Sequence, residues 1–174
     1  LSRELNAALK SNEAEDSARS PTIPGTGDRI FGAGAALGSA FSGGDVDTFI
    51  RFGNAVVRRI ERFPKPVIAA MNGHALGGGC EIAMACHFRL LKEAARMGQT
   101  ESNLGITPGF GGSQRLPRLV GRTKALEFLI MGTQVPASAC LAPPRPGSPA
   151  TTRSSRSSAS SEPSATITMP ACSE

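Results

Sequence analysis

The sequence predicts an α/β domain over residues 1–140, and three observations predict it. Residues 46–63 carry helical periodicity, residues 66–71 read as a short buried strand, and glycines 77–79 open a second helical stretch. Helix, strand and helix in close succession are the pattern of an α/β chain. Beyond residue 140 that pattern stops.

Residues 3–15 (RELNAALKSNEAE) read as the first helix, entered through Ser2 as N-cap. Ser20-Pro21-Thr22-Ile23-Pro24-Gly25 then occupies the place of an apolar strand, and its two prolines argue against a central one. In 46–63, Phe49, Phe52, Val56, Ile60 and Phe63 recur three or four apart, which predicts a helix with one apolar face. Pro66-Val67-Ile68-Ala69-Ala70-Met71 predicts a strand buried on both faces and closed by a turn at Asn72-Gly73. A helix is expected to begin within the glycine triplet and run through Cys86, with a further strand at 87–91. The last predicted helix is 123–131, with Thr123 as N-cap and Gly132 at its end.

The final 34 residues, 141–174, contain nine Ser, four Thr and six Pro and no apolar periodicity. Such a segment cannot bury enough surface to offset its ordering entropy, so it reads as a disordered tail. A shift of reading frame in GC-rich DNA would produce this composition, and would also account for the prolines at 20–24.

Apolar residues make up 40% of the chain and charged residues 19%, as in a soluble globular protein. No apolar run approaches the ~20 residues of a membrane-spanning helix, and residues 1–10 lack the apolar core of a signal peptide. Cys80, Cys86, Cys140 and Cys172 form no C-x-x-C pair and no metal-ligand cluster with His74 or His87. They read as free thiols in a reducing cytoplasm, and both histidines as structural. The net charge of +5 comes without any Trp or Tyr, which gives nucleic-acid binding little support. A basic surface does favour a small substrate carrying phosphates.

The chemistry concentrates in L-G-G-G-C-E-I-A-M-A-C, residues 76–86. Glycines that open a helix after a strand present bare N–H groups at a positive dipole end. A tight packing turn explains them equally well. Glu81 follows in the first helical turn among Cys80, Ile82, Ala83 and Met84, where an anion has little polar company. Glu101 lies 20 residues on, ahead of the glycine-rich Pro108-Gly109-Phe110-Gly111-Gly112. Two glutamates beside exposed amides suit general acid/base work. Gly32-x-Gly34-x-x-x-Gly38 is a poor dinucleotide fingerprint, because Ser39–Gly44 is no helix.

The run from Lys65 to Glu81 (K-P-V-I-A-A-M-N-G-H-A-L-G-G-G-C-E) closely resembles the signature of the crotonase superfamily, the enoyl-CoA hydratases and isomerases. Gly98-Gln99-Thr100-Glu101-x-x-Leu104-Gly105 and the run Gly111–Gly121 resemble the segments that follow in that family. The resemblance implies a crotonase-like superhelix of ββα units, here without the usual C-terminal helices. It implies hydration of a 2-enoyl-CoA thioester, with Glu81 and Glu101 as the catalytic carboxylates and Gly78 as one oxyanion N–H. For the second donor, Phe31-Gly32-Ala33-Gly34-Ala35-Ala36-Leu37 matches the family's loop and points to Ala35, while Phe41-Ser42-Gly43-Gly44-Asp45 points to Gly44. Spacing to Gly78 favours Ala35. Coenzyme A, as part of the substrate, would contact Ala33, Ala35, Ala36, Leu37 and Gly78, with Ala36 standing where the family has Asp. No metal or other cofactor is implied, and a homotrimer or hexamer is the family's assembly.

Two alternatives follow from the same residues: another crotonase reaction, isomerisation or thioester hydrolysis, or an inactive remnant. In family members, helices after the position of residue 139 cover the acyl pocket. Here Leu141-Ala142-Pro143-Pro144-Arg145-Pro146 excludes a helix. Leu126, Leu129 and Ile130 are therefore expected to lose their partners, leaving a poorly soluble or weakly active chain.

Overall fold

The first six strands of this chain fall alternately into two sheets, and that alternation places the acids. The computed structural model describes residues 2–34 and 46–140. In order these are α1 (Ser2–Ala14), β1 (Thr22–Pro24), β2 (Ile30–Gly32), α2 (Val46–Glu61), β3 (Ile68–Met71), β4 (His74–Leu76), α3 (Gly78–Ala85), β5 (Phe88–Leu91) and β6 (Arg96–Gly98). A 3₁₀ turn (Glu101–Leu104), α4 (Gly112–Val120), α5 (Arg122–Met131), β7 (Gln134–Pro136) and α6 (Ala137–Cys140) complete them. One sheet runs β1-β3-β5, all parallel; the other runs β2-β4-β6-β7, with only β7 antiparallel. Each pair of short strands therefore turns from one sheet to the other, and a helix usually returns the chain. This is the ββα superhelix that the sequence implied.

Asn72, at the turn between β3 and β4, ties neighbouring repeats together. Its Oδ1 accepts from Gly25 N at 2.7 Å, and its Nδ2 donates to Gly25 O at 3.1 Å and to Gly27 O. The histidines act similarly: His87 Nδ1 accepts from Val67 N at 2.9 Å, and His74 Nδ1 from Arg96 N at 3.0 Å. Both roles are structural, as expected.

Helix α3 is the centre of the molecule, and all eight of its residues are buried. Ile82, Ala83 and Ala85 join the main core with Leu9, Ile23, Phe31, Val57 and Ile60. Cys80 and Met84 join a second core with Leu116, Ala125 and Phe128. Burying an apolar side chain of this size contributes about 1.5–3 kcal/mol. The C-terminus of α3 meets the buried Arg89, whose Nη1 donates to Cys86 O at 2.7 Å. A guanidinium satisfies orphan carbonyls there and complements the helix dipole.

Several expectations are corrected. Residues 22–24 form a strand that is unbroken but, in keeping with the prolines, not central: β1 pairs with β3 in regular register, with Ile23 fully buried. The prolines are accommodated because β1 is an edge strand, so their presence needs no change of reading frame. The strand expected at 66–71 begins at Ile68 and alternates in burial instead of being covered on both faces. Thr123 is not an N-cap, since α5 begins at Arg122 behind Gly121; Gly132 does end it, in the left-handed region. Strands β2, β4, β6 and β7 and helix α4 were not anticipated. Residues 141–174, expected to be a tail, lie outside the described residues.

Candidate active site

The three consecutive glycines are required for three different reasons. Gly77 has φ +52°, a conformation that side chains rarely adopt. A Cβ on Gly78 would press on the Phe110 ring at 3.3 Å and on Gly34 Cα at 3.4 Å. A Cβ on Gly79 would stand 2.1 Å from Gly32 O, inside the backbone of β2. Helix α3 thus starts hard against the loop that follows β2. As its first residue, Gly78 carries an N–H with no intrahelical acceptor.

Glu81 sits in the first turn of α3 and is 1% exposed. Its Oε1 accepts two backbone bonds, from Phe110 N at 2.8 Å and from Gly112 N at 2.7 Å. The loop supplying them is braced from both sides. Asn54 on α2 donates to Gly109 O at 2.7 Å, and Arg115 on α4 donates to Phe110 O at 2.7 Å. Arg115 also forms a two-pronged ion pair with Glu61 at 2.9 and 2.8 Å, joining α4 to α2. The acid is thus held by a loop that is itself hydrogen-bonded to the two flanking helices.

Glu101 opens the 3₁₀ turn after β6 and is 8% exposed. Its Oε1 faces Gly77, and its Oε2 is buried without a hydrogen-bond partner among the described residues. Burial pushes the Glu81 carboxyl up to about 7, and the neighbouring Glu101 adds to the rise. The N–H groups of Gly112 and Phe110, and Arg115, oppose it. Burial likewise raises Glu101, against backbone hydrogen bonds from its own turn. Glu81 can therefore carry a proton near neutrality, and the raised Glu101 carboxyl is likewise suited to proton transfer.

Both acids line a cavity of about 430 Å³, together with Ala33, Gly34, Gly77 and Gly78. Its apolar wall comes from Phe49, Ile50 and Phe110, the two rings lying 5.5 Å apart. A larger cleft of about 670 Å³, between residues 63–66 and 84–88, contains neither Glu81 nor Glu101. Among the described residues, no group of three or more His, Cys, Asp or Glu could hold a metal ion.

A glycine turn that opens a helix and shares a cavity with two buried glutamates, on a ββα superhelix, narrows the choice of family, and comparison with known proteins decides it. The sequence profile of the enoyl-CoA hydratase/isomerase family matches residues 1–142. The chain belongs to that family. A probable enoyl-CoA hydratase of Bacillus subtilis is 47% identical over 135 residues, covering 76% of this chain and 52% of its own length. A crotonyl-CoA hydratase of Syntrophomonas wolfei is 54% identical over 109 residues, covering 62% and 42%. The crystal structure of enoyl-CoA hydratase from Bacillus anthracis superposes with a TM-score of 0.76 at 38% identity, over 80% of this chain and 55% of that one. The chain spans about half the length of the curated relatives it matches.

Of the residues that the family resemblance singled out, Glu81, Glu101, Gly78 and Ala33 meet in the one cavity. Ala35, Ala36, Leu37 and the alternative donor Gly44 lie outside the described residues. Sequence reasoning assigned no role to Phe110 and Gly112, because they act through backbone N–H groups. It also gave none to Gln99 or Asn54. The one signal available was glycine spacing: Gly111, at φ +90°, turns the chain so that Gly112 N reaches Glu81.

Proposed function

We propose that this chain carries the hydratase half-site of an enzyme adding water to a 2-enoyl-CoA thioester. The N–H groups of Gly78 and Ala35 polarise the thioester oxygen and hold the enolate that forms. Glu101 delivers a proton to the α-carbon, and Glu81 orients the water that attacks the β-carbon. Coenzyme A enters as part of the substrate along Ala33, Ala35, Ala36 and Leu37, and no further cofactor takes part. The protein works in the cytoplasm. The family's trimer or hexamer is not carried over to this chain, because the prolines at 143, 144 and 146 exclude the helix that would build its interface. No helix among the described residues is long and apolar enough to cross a membrane.

The observation that carries this reading is the pair of buried, protonation-poised carboxyls on either side of the Gly77-Gly78 turn. Both are needed for water addition, whereas isomerisation within the same family generally uses one. Gly78→Pro tests the donor. Proline is accepted at the first helical position but has no N–H, so the fold survives in part while catalysis is lost. Removing one such donor costs about 10²–10³-fold in kcat. Turnover of crotonyl-CoA by Gly78→Pro within a few-fold of the parent chain overturns the assignment, and so does a parent chain that neither binds nor hydrates the thioester.

A further inference from the structure

Gln99 is as deeply buried as Glu81, at 1% exposure, yet the reaction as described makes no use of it. Its Nε2 donates to Gly77 O at 3.5 Å, and its Oε1 is buried without a partner among the described residues. An amide kept in such a place with half its capacity unmet is costly, and a leucine would fill the space more cheaply. The amide also presses on the bare Cα of Gly112, where a Cβ would stand 2.6 Å from Gln99 Oε1 and 3.0 Å from Glu81 Oε1.

We propose that Gln99 is a positioning residue that aims the Gly78 N–H, acting through the Gly77–Gly78 peptide. The proposal rests on the reading of Gly78 as donor to the thioester oxygen. In a trans peptide the C=O and N–H point to opposite edges of one plane, so whatever holds the Gly77 oxygen also sets the direction of the Gly78 N–H. Two donors hold that oxygen: Glu81 N at 3.0 Å, which begins the helix, and Gln99 Nε2 from the other strand segment. The restraint is needed because the peptide lies between two glycines, the least constrained residues of the chain. Bonding at the carbonyl also polarises the amide and strengthens its N–H as a donor. The 3.5 Å contact is long, as catalytic hydrogen bonds often are before substrate tightens them. On the far side Gly34 packs close to this peptide, since a Cβ there would stand 3.6 Å from Gly78 N. Gln99 lies two residues before Glu101, so one segment sets both the proton donor and the oxyanion donor.

The test is the carbonyl stretch of carbonyl-¹³C butyryl-CoA, an unreactive saturated thioester, bound to the full chain and read by isotope-edited infrared difference. The parent chain lowers the stretch relative to free thioester. Gln99→Met, which keeps the volume and removes the donor, retains about half of that shift or less, with Kd changed less than about threefold and kcat for crotonyl-CoA about 10-fold lower. Equal shifts in parent and Gln99→Met overturn the inference and leave the Gly78 reading standing. No shift in the parent overturns both. Should Gln99→Met fail to fold, Gln99→Glu decides. Its neutral carboxyl donates to Gly77 O and its anion cannot, so the shift fades with rising pH beyond any change in the parent. A parent-like shift at every pH overturns the inference.

Discussion

The Glu101 carboxylate rests on the bare Cα of Gly77, so close that a Cβ there would stand 3.2 Å from Glu101 Oε1. One side of the proposed proton donor is therefore shaped by the absence of a side chain. Gly77→Ala adds that methyl at φ +52°, where alanine is strained, and pushes the carboxyl away. A stability loss of about 1–3 kcal/mol is expected from chemical denaturation. Crotonyl-CoA turnover should fall further than stability alone explains. An unchanged kcat would show that the contact does not position Glu101.

The two acids should separate in a solvent-exchange experiment. Glu101→Gln should abolish both hydration and exchange of the α-proton of a saturated acyl-CoA, because no group remains to move that proton. Glu81→Gln keeps an oxygen for the N–H groups of Phe110 and Gly112, so the loop stays in place. It should lose water addition while retaining more of the exchange. Intact hydration in Glu81→Gln would put isomerase or hydrolase chemistry ahead of the two-carboxylate mechanism.

Stability should depend on pH in a direction set by Glu81. Its carboxyl titrates near 4.5 when unfolded and near 7 when folded. Between those values the folded chain holds a proton that the unfolded chain has released. The stabilisation is thus fully present below pH 4.5 and is lost as pH rises through 7. One pKa unit is worth about 1.4 kcal/mol, which bounds the loss at roughly 3.5 kcal/mol. Urea unfolding from pH 5 to pH 8 should reveal the decline, and Glu81→Gln should flatten it. A Glu81→Gln slope equal to the parent's assigns the effect elsewhere.

Helix α5 presents Leu126, Ile130 and Met131 at 45%, 67% and 67% exposure, with Leu104 at 61%. Leu129, expected among them, is instead half-buried against the Leu116–Phe128 core. Contiguous exposed apolar side chains drive association. Light scattering of the isolated chain should therefore rise with concentration, and Ile130→Glu with Met131→Glu should suppress the rise. Concentration-independent scattering by the parent chain would remove the liability.

Much of this molecule was legible, and the reason differs from element to element. Helix α2 was visible because Phe49, Phe52, Val56 and Ile60 repeat at helical spacing. Glu81 and Glu101 stood out because each is a lone acid beside glycines. The short strands β2, β4, β6 and β7 were not legible, since three residues cannot establish a period of two. Thr123 misled because cap propensity is local, whereas the packing of α4 against α5 decided where that helix began. Phe110 and Gly112 escaped notice because they act through backbone amides, which a sequence does not display, and Gln99 because nothing in the sequence marks its amide as buried.

Glu81 reaches its two amide partners across 29 and 31 residues of chain. At 5–20 residues per second, a ribosome takes roughly 2–6 s to make that stretch. During this interval the central helix has already been synthesised, while the N–H groups that will hydrogen-bond its acid do not yet exist. The strand that pairs with β4 on the Glu101 side is also unfinished for part of that time. The contact that fixes this acid is therefore among the later ones the chain can close, whatever the helix packs against first.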